Sequence, residues 1–264
     1  MLKITTRLGN SITRRTYIRP HYYSQEPLSK AIQRKRLPLN DLDPNKVLWT
    51  LIGTNATVFL GWQYAIQSYK QFGDPAWLEW MSRHFVSSED AVNHGRYHTL
   101  LTSVFSHQDL THLGVNMLVL HSMGQGVMQA IGVSRFLGLY TGAGLVASMV
   151  GIGYRKYIRP RLENKRGSYS RALHGSMGAS GAVMGITTFF ACAFPKATFL
   201  VFFIVPMPAI AVVGLFAAYD VYQSYAIKRG SLVDSAAHLG GAAYGAAYWF
   251  TRVRPMLRAG RWHI

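Results

Sequence analysis

Three groups of residues in this sequence have the types and spacing that acyl transfer requires. The first is the run Gly-Ser-Met-Gly-Ala-Ser-Gly-Ala-Val-Met-Gly at 175–185, where Ser180 stands between Gly178 and Gly181 as G-x-S-G. The stretch before it is basic and polar and the stretch after it is uncharged, so a helix is expected to begin near the serine. First-turn backbone N–H groups have no intrahelical partner, and with the positive end of the helix dipole they suit a developing oxyanion. The second group is Ser-Ala-Ala-His-Leu-Gly-Gly-Ala-Ala-Tyr-Gly at 235–245, which puts His238 one turn inside an uncharged segment. Ala237, Gly241 and Gly245 recur there at four-residue spacing, and Gly181 and Gly185 offer a matching small face. If the two faces meet, the backbones approach closely and His238 comes within reach of Ser180 as a general base. The third group is Thr-His-Leu-Gly-Val-Asn-Met at 111–117, where His112 and Asn116 share one helical face. Both side chains can donate hydrogen bonds to a tetrahedral oxyanion. A nucleophile, a base and oxyanion donors on three apolar segments describe an acyl-transfer site.

Each group also has a plainer reading. Glycine and serine are routine where membrane helices pack closely, and His238 can be a hydrogen-bonded structural residue. His107, His112 and His121 suggest a metal site, but spacings of five and nine do not put three rings on one helical face. The uncharged intervals contain no carboxylate to complete a ligand set, so neither a metal nor another cofactor is expected.

The elements that must position these groups follow from the distribution of charge. Only 15% of the 264 residues are charged and 49% are apolar, and the charges leave long gaps. Gaps lie between Lys46 and Lys70, over Leu110–Ile131, over Phe136–Tyr154, between Arg171 and Lys196, between Lys196 and Asp220, and between Asp234 and Arg252. Each approaches the roughly 20 residues that a helix needs to cross hydrocarbon. The expected fold is therefore an all-α polytopic membrane protein of six transmembrane helices, with both termini on one side and a long first loop over 71–109. In that loop Trp77, Trp80, Met81 and Phe85 form either a face lying in the headgroup region or a helix packed on the protein. Trp49 and Trp249, near span ends, fit an aromatic belt. Basic residues divide almost evenly between the two sides, so charge does not set the orientation.

The net charge of +17 and the isoelectric point near 10.2 do not indicate nucleic-acid binding, because the basic residues flank apolar runs. Residues 1–25 carry Lys3, Arg7, Arg14, Arg15 and Arg19 with no acid, the pattern of a mitochondrial presequence. A basic juxtamembrane segment, 26–46, follows, then a core over 47–251 and a basic tail over 252–264. The loop 155–171 has seven basic residues and one acid, a density suited to anionic lipid or to a solvated loop. A single cysteine, Cys192, excludes a disulfide framework and a cysteine-based zinc cluster.

The ordered set H-x4-H-x3-N (His107, His112, Asn116), G-A-S-G (Gly178–Gly181) and A-H-x-G-G-x3-G (Ala237–Gly245) resembles the rhomboid intramembrane serine proteases over about 105–250. The wording of the last two motifs, with the presequence, is similar to the mitochondrial inner-membrane branch. The resemblance implies Ser180 as nucleophile and His238 as base and later acid, a dyad without a carboxylate. It implies an oxyanion hole of His112, Asn116 and the Ser180 N–H, with Gly178 and Gly181 permitting tight geometry around the serine. Gly241 and Gly245 would let the last helix approach the fourth. His107 would be structural, and Asp234 a helix-start residue. Substrates would be single-span membrane proteins of the inner membrane. Two positions depart from the family pattern: His98 and Thr99 stand where many rhomboids carry Trp-Arg, and Met184 replaces an aromatic after the serine. A protease-inactive relative that binds membrane clients is the competing implication.

Overall fold

The computed structural model describes residues 39–165, 175–201, 204–226 and 234–260. The expected presequence, most of the 26–46 segment, part of the 155–171 loop and the end of the basic tail lie outside the described residues. The chain is mostly helical. Helix α1 runs over Pro44–Phe72, capped by the Asp43 side chain, which accepts from the Asn45 N–H, and closed by Gly73 at φ 70°. The long loop folds into α2 (Ala76–Phe85) and the short α3 (Glu89–Asn93) and α4 (Thr99–Thr102). Helices α5 (Leu110–Ile131) and α6 (Val133–Gly153) are joined through Gly132, whose φ of 81° is left-handed. Helix α6 continues through a π-helical turn into α7 (Arg159–Lys165). Then follow α8 (Ser180–Ala193), α9 (Ala209–Ala226), α10 (Ser235–Tyr248) and the short α11 (Arg254–Arg258).

Six helices of 14 to 29 residues lie along the expected intervals, and one interval needs correction. The interval between Lys196 and Asp220 is not a helix throughout. Its first part is an antiparallel hairpin of β1 (Thr198–Val201) and β2 (Val205–Pro208), a small insertion in an otherwise all-α fold. The run Thr-Phe-Leu-Val favours strand, and Pro206 and Pro208 oppose a helix interior. By length and composition, the one described helix long and apolar enough to cross a membrane is the continuous segment 133–163.

Helices α6, α8 and α10 form the centre, with α5 and α1 on one side and α9 on the other. Phe136, Leu139, Tyr140, Ile186 and Phe189 are buried there. Trp249 is buried and packs edge-on against Phe189 at 5.8 Å, so it belongs to the core and not to an interfacial belt. Trp49 is exposed. Helix α2 packs on the protein through one buried apolar residue and leaves two others exposed. Met81 is buried with Trp62 of α1, while Trp77 and Trp80 face outward.

Candidate active site

Helix α8 begins on Ser180 without a side-chain cap. The residue before it, Ala179, donates its N–H to His107 Nε2 at 3.3 Å. The first-turn N–H groups that follow have no intrahelical partner. His107 is fully buried, and burial, aided by the nearby His112, lowers its pKa to about 4, so it stands neutral and accepts. The loop that carries it is fixed by Trp62, whose indole N–H donates to Ser106 Oγ at 2.6 Å. The segment before the serine is held on the other flank by a two-bond antiparallel bridge between Ser176 and Ser87.

Gly178 has φ 127°, a conformation that side chains rarely adopt, and its N–H donates to the Ser103 carbonyl at 2.9 Å. A Cβ there would meet the His112 ring at 2.7 Å and Ser180 Oγ at 3.7 Å. The missing side chain therefore leaves the space in which His112 lies beside the serine. Asp109 caps α5 by accepting from the His112 N–H at 2.7 Å, which fixes His112 in the first turn. The His107 and His112 rings meet edge-on at 5.0 Å, whereas His121 lies against Trp49. Asn116 is buried one turn further along, with Nδ2 donating to the His112 carbonyl at 2.8 Å. An amide carries two N–H donors, so one remains for another acceptor.

The small faces of α8 and α10 meet. A Cβ on Gly241 would land on the Gly181 carbonyl oxygen, and one on Gly245 on the Gly185 carbonyl oxygen. Gly181 and Gly185 in turn receive Ala147 and Ala143 of α6. This approach brings His238 Nε2 to 2.8 Å from Ser180 Oγ. Asp234 caps α10, accepting from the Ala237 N–H at 3.1 Å, and pairs with Arg155.

One further residue meets this pair that its place in the sequence does not reveal. In the sequence Asp220 bounds an uncharged interval, which leaves no carboxylate inside a span. The structure instead puts it within α9, 3% exposed, with its oxygens 3.3 and 3.2 Å from His238 Nδ1. The available signal was its isolation, since Asp220 is the one charged residue between Lys196 and Lys228. The basic segment after α6 also reads differently. Lys156 and Arg159 pair with Glu89 and Glu163 at 2.9 and 2.8 Å, and Arg155 with Asp234, so three of its cations have protein partners.

The family model of the Rhomboid domain matches residues 94–255. The chain is 30% identical over 227 residues to rhomboid protein 1, mitochondrial, of Saccharomyces cerevisiae, covering 83% of this chain and 59% of that one. It is 31% identical over 219 residues to RHOMBOID-like protein 12, mitochondrial, of Arabidopsis thaliana, covering 82% and 61%. With the presenilin-associated rhomboid-like protein, mitochondrial, of Homo sapiens it shares 27% over 207 residues, covering 78% and 48%. The chain spans less than two thirds of the length of each of these relatives. With the Rhomboid domain matched over more than half of its sequence and mitochondrial rhomboids among its relatives, the chain belongs to the rhomboid family, in its mitochondrial branch.

Proposed function

We propose that this protein of the mitochondrial inner membrane is an intramembrane serine endopeptidase that cleaves single-span membrane proteins, with Ser180 as nucleophile and His238 as base. The observation that carries the reading is the 2.8 Å contact between Ser180 Oγ and His238 Nε2. Hydrogen-bond reach between nucleophile and base is the geometric requirement for this chemistry. The six helices α1, α5, α6, α8, α9 and α10 would be its six spans. At 1.5 Å per residue, the 14 residues of α8 and of α10 reach about 21 Å, less than a hydrocarbon core of about 30 Å. Both motif residues lie at the same end of these short helices, which suits a site below one membrane surface.

The Ser180 hydroxyl donates to His238 Nε2, and as its proton transfers, Oγ forms a bond to the scissile carbonyl carbon. The carbonyl oxygen becomes an oxyanion, received by the Ser180 N–H and the side chains of His112 and Asn116. On collapse the C–N bond breaks and His238 returns its proton to the leaving amine. Water then attacks the acyl-serine by the same path, with His238 again as base. Gly178, Gly181, Gly241 and Gly245 serve the close packing around this centre, and His107 holds the turn before the serine. Anionic lipid remains a partner in this reading, contacted through the part of the 155–171 loop beyond the three paired cations. No cofactor and no nucleic acid enter it.

Purified protein treated with a fluorophosphonate should label on Ser180, and Ser180→Ala and His238→Ala should lose labelling and cleavage together. Cleavage that persists in Ser180→Ala removes the assignment. Folded wild-type protein that binds a single-span substrate but neither labels nor cleaves it would establish the client-binding alternative.

A further inference from the structure

Helix α9 contributes an ionisable group that the acyl-transfer chemistry above does not use. Asp220 has a 5% exposed side chain, and among the described residues its carboxylate meets one hydrogen-bond partner, the His238 ring. The helix continues to Ala226, so this carboxylate is not at a helix end with free access to water. A carboxylate within an apolar helix is costly unless paired, and such residues tend to mark function. An ionised carboxylate only accepts hydrogen bonds, so pairing with one calls for the ring proton at Nδ1. In that tautomer the lone pair of Nε2 faces the Ser180 hydroxyl, 2.8 Å away. Three helices, α8, α9 and α10, each supply one member of this chain of contacts. Asp234, the other acid near His238 in sequence, is occupied in capping α10 and pairing with Arg155.

We propose that Asp220 is a positioning residue for the Ser180–His238 pair, fixing the His238 ring in the Nδ1–H tautomer and orientation that leave Nε2 free to take the serine proton. This inference rests on the protease reading and deepens it. During attack the Ser180 proton moves to Nε2, the Nδ1 proton stays in place, and Asp220 remains ionised beside the imidazolium that forms. Its effect falls on the chemical step and not on substrate binding.

The test uses the full chain in lipid and a single-span substrate. Asp220→Asn should lower kcat at least tenfold, a part of the roughly 10²- to 10⁴-fold that general acid–base catalysis supplies, with KM unchanged. Asp220→Glu should recover part of that loss. Nitrogen-15 NMR of histidine-labelled wild-type protein should show His238 protonated at Nδ1, and Asp220→Asn should mix the tautomers. A wild-type His238 with an unprotonated Nδ1 would overturn the proposal whether or not any variant folds. An Asp220→Asn enzyme with wild-type kcat would overturn it as well. Failure of the protease reading shows separately, as cleavage that survives Ser180→Ala.

Discussion

Gly241 of α10 lies against the carbonyl oxygen of Gly181 in α8, so close that a Cβ has no room beside it. The obstacle is backbone and not a flexible side-chain tip, so it cannot turn aside. Gly241→Ala must part the two helices, at a cost of about 1–3 kcal/mol for overpacking. Parting them also lengthens the 2.8 Å contact between Ser180 and His238. Thermal unfolding should therefore show a moderate loss of stability, while cleavage falls far more than the loss of folded protein explains. Wild-type cleavage in Gly241→Ala would mean that the close approach is not needed.

Much of this site was legible because its determinants are local. The serine between glycines, the histidine on a small-residue face and the His112/Asn116 pair are each readable within a few residues. Helix α5 occupies Leu110–Ile131 because an apolar run follows the capping residue Asp109. The unread parts depend on contacts distant in sequence. Asp220 ends an uncharged interval, and nothing nearby indicates that its partner is a histidine 18 residues on. Lack of charge likewise cannot separate the hairpin over 198–208 from a helix. That distinction comes from β-branched residues and prolines inside an apolar run. Trp249 lies where a belt residue would, but tertiary packing against Phe189 turns it inward.

The oxyanion assignment predicts a specific kinetic signature. His112→Ala and Asn116→Ala each remove a donor whose interaction strengthens only as charge develops on the carbonyl oxygen. Each should lower kcat by roughly 10²- to 10³-fold with little change in KM. Gly178→Ala should mimic the loss of His112, since its Cβ would stand 2.7 Å from that ring and its φ of 127° would be strained. Steady-state kinetics of the three variants tests this. A change confined to KM would assign the residues to substrate binding.

Acid should loosen the turn before Ser180 through His107. Burial lowers its pKa to about 4, against about 6.5 in an unfolded chain. Between those values the unfolded state binds more protons, so stability rises with pH across the window. The stability is fully present above about pH 6.5 and is lost as pH falls toward 4. A protonated ring can no longer accept the Ala179 N–H. Thermal unfolding followed from pH 7 to 4.5 should show a falling midpoint. His107→Gln, though less stable at neutral pH, should show a shallower fall. An unchanged slope in that variant would assign the acid sensitivity to other groups.

The two acids near His238 should behave differently because they touch different things. Asp234 caps the first turn of α10 and pairs with Arg155, and neither contact involves the imidazole. Asp234→Ala loses the cap, worth about 1 kcal/mol, and leaves a partly buried arginine without its carboxylate. Asp234→Asn keeps an oxygen able to accept from the Ala237 N–H and loses only the ion pair. Its unfolding midpoint should lie between those of wild type and Asp234→Ala, and its kcat, corrected for folded protein, should match wild type. A kcat defect in Asp234→Asn as large as that in Asp220→Asn would mean that the start of α10, and not the carboxylate at Nδ1, governs the orientation of His238.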